Sequence, residues 1–213
     1  MKKSFAVLGL GKFGMSVARE LSRAGAEVLA VDIDREMVHE VADDVTCAMC
    51  ADVRDAETLE TLGLSNMDAV IVAITGDLNA SVMATICSKE AGVPFVMAKA
   101  EDEIHTKILK KVGADKVIIP ERESGTRTAR MLLSSNIVDF IELSKNICLI
   151  EEEVKSEWIG KNLRELNLRQ KHKMNVVALR KGEEVIANIS PDKPLEEGMR
   201  LMVIMDRKDL PKE

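Results

Sequence analysis

Gly9-Leu10-Gly11-Lys12-Phe13-Gly14 is the stretch whose reading decides the fold. It follows the apolar run Phe5-Ala6-Val7-Leu8 and opens a helix-like stretch, Phe13 to Ala24. A second apolar run, Glu27-Val28-Leu29-Ala30-Val31, then ends in Asp32. A GxGxxG alone is weak; strand, glycine turn, helix, strand and terminal acid together are specific. Gly9 suits the tight turn, Gly11 lets the backbone approach a diphosphate, and Gly14 lets the helix pack close to the sheet. The helix N-terminus favours an anion. Asp32 can accept hydrogen bonds from both hydroxyls of an adenosine ribose and repels a 2′-phosphate. The pattern therefore predicts an adenine nucleotide, NAD, ADP or ATP, rather than NADP.

Outward from this turn, strand and helix signals alternate to about residue 120. Strands are expected at Phe5–Leu8, Glu27–Asp32, Val45–Ala51, Ala69–Ile74, Phe95–Lys99 and Lys116–Ile119. Helices are expected at Gly14–Ala24, Arg35–Ala42, Ala56–Leu62, Asn79–Ala91 and Ile104–Val112. The rhythm predicts a doubly wound parallel sheet with the ligand at the carboxyl ends of its strands. Pro120-Glu121 closes the last strand, and a helix over Ser124–Ser135 follows. The pattern then changes to a small α+β module of roughly 75 residues, too small for a dehydrogenase substrate domain. In it, Ile137–Leu143 and Ile147–Val154 read as strands, or as a short helix and a strand. Leu163–Leu166 reads as a short helix, and Asn175–Arg180, Glu184–Ile189 and Met199–Met205 as strands.

Composition narrows the function classes. The net charge of -6 and the absence of a basic stripe argue against nucleic acid. No apolar run approaches the ~20 residues that span a bilayer. The glycines and Lys12 break any signal-peptide pattern at the start. The chain is expected in the cytoplasm, with any membrane role through a partner. Cys47-Ala48-Met49-Cys50 has CxxC spacing, but it lies in a strand-like run where residues three apart point to opposite faces. No second Cys or His pair stands nearby, so structural cysteines are the expectation. With no tyrosine, aromatic stacking on bases has little support.

Beyond the glycine turn, several further stretches bear on family. These are Val31-Asp32-Ile33-Asp34, Asp68-Ala69-Val70-Ile71-Val72-Ala73-Ile74, Lys99-Ala100, and Gly113 through Glu121. Together with Phe5 to Gly14 and the small second module, they make the whole chain resemble the RCK family. These are the cytosolic regulators of potassium conductance of KtrA and TrkA type. The resemblance implies a Rossmann-like doubly wound α/β domain over 1–122, a crossover helix over 123–136, and a small α+β RCK C-terminal domain over 137–213. It also implies a regulator without chemistry of its own. Such a protein binds ATP, ADP or NAD(H) and dimerises into a homo-octameric ring. The ring lies beneath an integral-membrane potassium channel or transporter, so the chain would sit peripherally on the inner face of the plasma membrane.

On this resemblance the nucleotide contacts are Gly9, Gly11, Lys12, Phe13, Gly14, Asp32, Ile33, Asp34, Asp52, Val53, Ile74, Thr75, Lys99, His105 and Glu121. Lys12 stands where KtrA-like members often have arginine. As a point charge it would meet a terminal phosphate without the bidentate fork. Asp52, after the third strand, is placed for the exocyclic amine of adenine, with a turn or helix-cap role as the alternative; Asp55 is the better cap. Asn79 and Ser81 read as helix-start residues. The resemblance also implies that Glu121 of two protomers shares a divalent cation, Mg²⁺ or Ca²⁺, with the terminal phosphate. In the second module Leu163, Leu168, Arg169, Asn175 and Pro191 match a cyclic di-AMP cleft, although leucines at that spacing also serve as core. Two other readings stay open at this point. One is an NAD-dependent oxidoreductase, which lacks a hydride-transfer constellation here. The other is a standalone NAD redox sensor using Cys47 and Cys50.

Overall fold

The computed structural model describes residues 2–133 and 137–210. It divides into two compact units, Met1–Pro120 and Glu121–Glu213. The first begins with β1 (Ser4–Leu8), α1 (Lys12–Arg23), β2 (Glu27–Asp32), α2 (Arg35–Val41), β3 (Cys47–Cys50) and α3 (Ala56–Thr61). It continues with β4 (Ala69–Val72), α4 (Leu78–Glu90), β5 (Val96–Lys99), α5 (Glu103–Lys111) and β6 (Lys116–Ile118). The six strands are parallel in the order β3-β2-β1-β4-β5-β6. The order reverses at β1, where Leu8 is in register with Val31 of β2 and Val72 of β4. That reversal leaves a crevice at the carboxyl ends of β1, β2 and β4.

The central strands read as near-continuous apolar runs because helices cover both faces of the sheet. Ala6, Leu8, Val31, Val70 and Val72 pack into one buried cluster with Ala80 and Ala84 of α4. Val7, Val28, Ala30 and Ile71 point to the other, against Met15 and Ala18 of α1. β3 lies at the sheet edge and is largely exposed, so the expected strand Val45–Ala51 shortens to four residues. The expected strand Ala69–Ile74 likewise ends at Val72, leaving Ile74 and Thr75 in a loop.

A larger correction concerns Glu121. The sixth strand ends at Ile118, and α6 (Pro120–Leu133) starts four residues before the expected Ser124. Proline has no N–H to donate, but the first helical position needs none, so Pro120 begins the helix instead of delaying it. Glu121 and Glu123 therefore occupy a helical first turn, where the dipole favours acids. Ser135, the expected end of this helix, lies outside the described residues.

The second unit contains β7 (Ile137–Glu142), β8 (Ile147–Glu153), α7 (Leu163–Leu166), α8 (Leu168–His172), β9 (Asn175–Lys181), β10 (Glu184–Ile186) and β11 (Met199–Asp206). Its antiparallel sheet runs β10-β9-β11-β8-β7. Burial alternates strictly along β11, as expected for a sheet with one solvated face. Leu201, Val203 and Met205 pack with Phe140, Ile150, Trp158, Leu166, Leu168 and Leu179. α8 was not expected from sequence. Asn167 takes the left-handed conformation, φ +47°, and both ends α7 and starts α8; short polar side chains tolerate that region best.

Candidate functional site

The glycine turn between β1 and α1 is held by close backbone packing. Gly9 adopts φ +98°, and a Cβ there would lie 3.0 Å from Ala73 C and Ile74 N. Its N–H donates to Val31 O at 2.8 Å. A Cβ on Gly14 would lie 1.9 Å from Gly9 O, so the helix axis approaches the strand end as only glycine permits. Gly11 differs: nothing lies within 4 Å of where its Cβ would be. It is the N-cap of α1, with no side chain to make a capping bond, and the first turn holds no acid. The leading N–H groups of α1 thus keep their capacity to meet an anion.

Asp32 ends β2 with its carboxylate oriented by two backbone donors. Leu10 N–H donates to Oδ2 at 2.5 Å and Asp34 N–H to Oδ1 at 2.9 Å. A carboxylate has about four lone-pair directions, so acceptor capacity remains for two ribose hydroxyls. A cavity of ≈ 350 Å³ opens here, a size suited to a nucleotide moiety. Of the residues expected from sequence, the structure brings Gly9, Gly11, Asp32, Ile33, Asp34, Asp52, Val53, Ile74 and Thr75 to its walls.

The other expected contacts are placed elsewhere. Lys12 lines a separate shallow depression with Ser16, Arg19 and Glu40. Gly14 acts from beneath, through the packing just described. Phe13 is half-buried, with Lys99 Nζ 6.0 Å from its ring centroid; Lys99 itself is buried at the end of β5. His105 is also buried. Its Nε2 lies 3.2 Å from Ser81 Oγ, and the N–H of Glu101 donates to Nδ1 at 3.4 Å. Glu101 in turn accepts from Gly76 N–H at 2.5 Å, so this chain of bonds ends on the loop that carries Thr75. Ser81 is thus a buried polar partner within α4, and the cap of that helix is Asp77, which accepts from Ala80 N–H at 2.9 Å. Asp55 caps α3 as expected.

Sequence reasoning missed Arg54 and Asp77 on the cavity wall. Arg54 grips Asp52 through Nε at 2.9 and 3.1 Å and Nη2 at 2.6 Å. The Arg54 side chain, and next its backbone N–H, hold the Asp52 carboxyl down at about 2, so it is ionised at any working pH. The i, i+2 spacing of acid and arginine before the α3 cap was the available signal.

In the second unit, Leu168 is buried in the core and Leu163 is half-buried against it, while Arg169, Asn175 and Pro191 are exposed. Cys47 and Cys50 are free and exposed on β3, and Cys50 Sγ lies 3.4 Å from Ile33 O. Among the described residues, no cluster of three or more His, Cys, Asp or Glu is arranged to hold a metal. No helix among them is long and apolar enough to cross a membrane.

This fold and loop geometry define a Rossmann-type unit followed by a small α+β unit. The TrkA-N domain family matches residues 5–120 and the TrkA-C domain family matches 149–212. The chain is 43% identical over 188 residues to Ktr system potassium uptake protein C of Bacillus subtilis, covering 88% of this chain and 85% of that one. It is 40% identical over 202 residues to Ktr system potassium uptake protein A of Vibrio alginolyticus, covering 95% and 92%. The chain therefore belongs to the TrkA/Ktr family of potassium uptake proteins. Its fold also matches the GsuK channel with a TM-score of 0.70 at 14% identity, over 99% of this chain and 38% of that one. The expected fold, a Rossmann-like parallel sheet followed by a separate α+β unit, is the one observed.

Proposed function

We propose that this chain is the nucleotide-sensing regulatory subunit of a membrane potassium channel or transporter. An adenine nucleotide, ATP, ADP or NAD(H), occupies the crevice at the ends of β1, β2 and β4. Its diphosphate lies on the Gly9–Gly11 turn and the N-terminus of α1, and its ribose on Asp32. The carrying observation is the Asp32 carboxylate, fixed by Leu10 and Asp34 N–H beside an uncapped helix start. The potassium uptake proteins to which the chain is similar support the transport role. The chain works without catalysis of its own, in the cytoplasm, as homodimers assembled into an octameric ring against the inner face of the membrane. Nucleotide exchange changes the shape of that ring, because a ligand shifts a conformational equilibrium only by its differential affinity for the two states.

The finer ligand assignments belong to the same proposal. Lys12, on the first turn of α1, meets the terminal phosphate by swinging its flexible side chain out of the neighbouring depression it lines, and Lys99 at the end of β5 is a further nucleotide contact. Glu121 supplies one carboxylate, and no cluster within the described residues completes a metal site around it. A divalent ion there would take its other oxygens from the terminal phosphate and a second protomer. Arg169, Asn175, Pro191 and the edge of Leu163 form the cyclic di-AMP surface of the second unit. Potassium flux through the reconstituted membrane subunit tests the central role. Flux should respond to nucleotide with the wild-type chain and lose that response with Asp32→Ala. Flux indifferent to nucleotide with the wild-type chain would overturn the reading.

A further inference from the structure

The crevice presents a recognition problem for a base. Among the described residues no aromatic side chain lines it; its apolar walls are aliphatic, with Val31, Val53 and Ile74 among them, and four aspartates share it with Arg54. Purine recognition ordinarily uses a flat surface against the π-face, and a guanidinium plane supplies one as an aromatic ring does. Among the described residues, Arg54 is the one planar cation on this wall.

Its surroundings fix that plane. Nε and Nη2 are engaged edge-on by both oxygens of Asp52, in the loop after β3. On the other side Nη1 lies 4.0 Å from Asp77 Oδ2, at the start of α4. Nε and Nη2 are thereby committed to Asp52, Nη1 faces the Asp77 carboxylate at ion-pair distance, and the side chain remains half exposed, at 54%. An arginine held along its edge, half exposed and lining the cavity is arranged to stack, with little rotamer freedom left to lose on binding. Arg54 supplies Asp52 with three donors, its backbone N–H, Nε and Nη2, so about one of the four lone-pair directions of the carboxylate remains for another donor. An exocyclic amine in the base plane is such a donor.

We propose that Arg54, oriented by Asp52 and Asp77, is the base-stacking residue of the nucleotide site. The proposal rests on the nucleotide reading above and adds the group that receives the base. Lysine at this position would retain the charge but lose both the fork that meets Asp52 and the flat face.

Calorimetric titration with ADP of the full-length wild type, Arg54→Ala and Arg54→Lys tests this. The thermal midpoint of each serves as a folding control. Both variants should lose roughly tenfold or more in affinity, the range of a single base-stacking contact, with lysine giving no rescue. The loss should persist with inosine diphosphate, which keeps the π-face and lacks the exocyclic amine. Wild-type affinity in Arg54→Lys would show a purely electrostatic role and overturn the proposal. So would unchanged or tighter binding in Arg54→Ala. A loss seen with ADP but absent with inosine diphosphate would assign the effect to Asp52 and also overturn it. Failure of the wild type to bind ADP, ATP or NAD would instead remove the nucleotide reading itself, and the stacking role with it.

Discussion

Gly11→Ala separates ligand recognition from stability within the glycine turn. Gly11 has φ -62° and ψ -179°, a conformation alanine adopts without strain, and no atom lies within 4 Å of the added methyl. Two small effects on stability oppose each other. Restricting the unfolded chain contributes about 0.4–1 kcal/mol, and alanine is a poorer N-cap than glycine by an amount of similar order. The net change should stay within about 1 kcal/mol. Binding should change much more, because the methyl projects from a residue that lines the crevice where a diphosphate must approach the backbone. A loss of at least tenfold, about 1.4 kcal/mol, is expected for ADP. Gly14→Ala is the contrast. Its methyl would sit 1.9 Å from Gly9 O, so the turn must move, at about 1–3 kcal/mol or more of stability. The assay is isothermal calorimetry for affinity with differential scanning calorimetry for stability. Full ADP affinity in a stably folded Gly11→Ala would refute the assignment of the diphosphate to this turn.

Three further outcomes follow from the structure. Glu152 is fully buried facing the core of the second unit, neither carboxylate oxygen has a hydrogen-bond partner among the described residues, and Lys155 Nζ is 3.7 Å from Oε1. Desolvation raises its pKa, so the folded state is penalised as pH rises above the unfolded value near 4.3. Glu152→Met should therefore stabilise this unit by about 1–3 kcal/mol at pH 7 and by much less at pH 4, read from Trp158 fluorescence during denaturation; an equal effect at both pH values would contradict the burial argument. Asp115 accepts from Val96 N–H at 2.7 Å and Lys89 Nζ at 3.0 Å, and these bonds, the backbone one first, hold its carboxyl below the ordinary range. Its contribution is present above the unfolded pKa near 3.9 and is lost as pH falls through the folded value, so Asp115→Asn should cost about 1 kcal/mol at pH 7 and progressively less as pH falls below about 3.9 in paired urea denaturations. Glu121→Gln should bind ATP in chelator at least as well as wild type but gain much less from added Mg²⁺ or Ca²⁺; an identical metal response would leave Glu121 as a helix-start acid.

The order of elements and the crevice were legible because parallel strands buried on both faces leave continuous apolar runs, and a diphosphate turn demands glycine at fixed spacing. Local errors have local causes. The Glu121 position was misread because proline was taken as a strand terminator, although it also starts helices. α8 was missed because its boundary depends on one left-handed asparagine, Asn167, which no periodicity announces. At the site, residues one or two positions from a strand end were found by counting. Asp77 and Arg54 were not, since their place on the wall depends on loop conformation and on the pairing of Arg54 with Asp52. Lys12 shows the converse: adjacent in sequence to Gly11, it projects to another depression, because successive helical residues point about 100° apart.

Calorimetry of one wild-type preparation against ADP, ATP, NAD and NADP tests the nucleotide site most directly. Asp32 has oxygens for both ribose hydroxyls and a charge that repels a 2′-phosphate. Saturable one-site binding of at least one of ADP, ATP and NAD is expected, abolished or strongly weakened in Asp32→Ala, with NADP bound far more weakly than NAD. No binding of any of the four, or NADP bound as tightly as the best of the others, would contradict it.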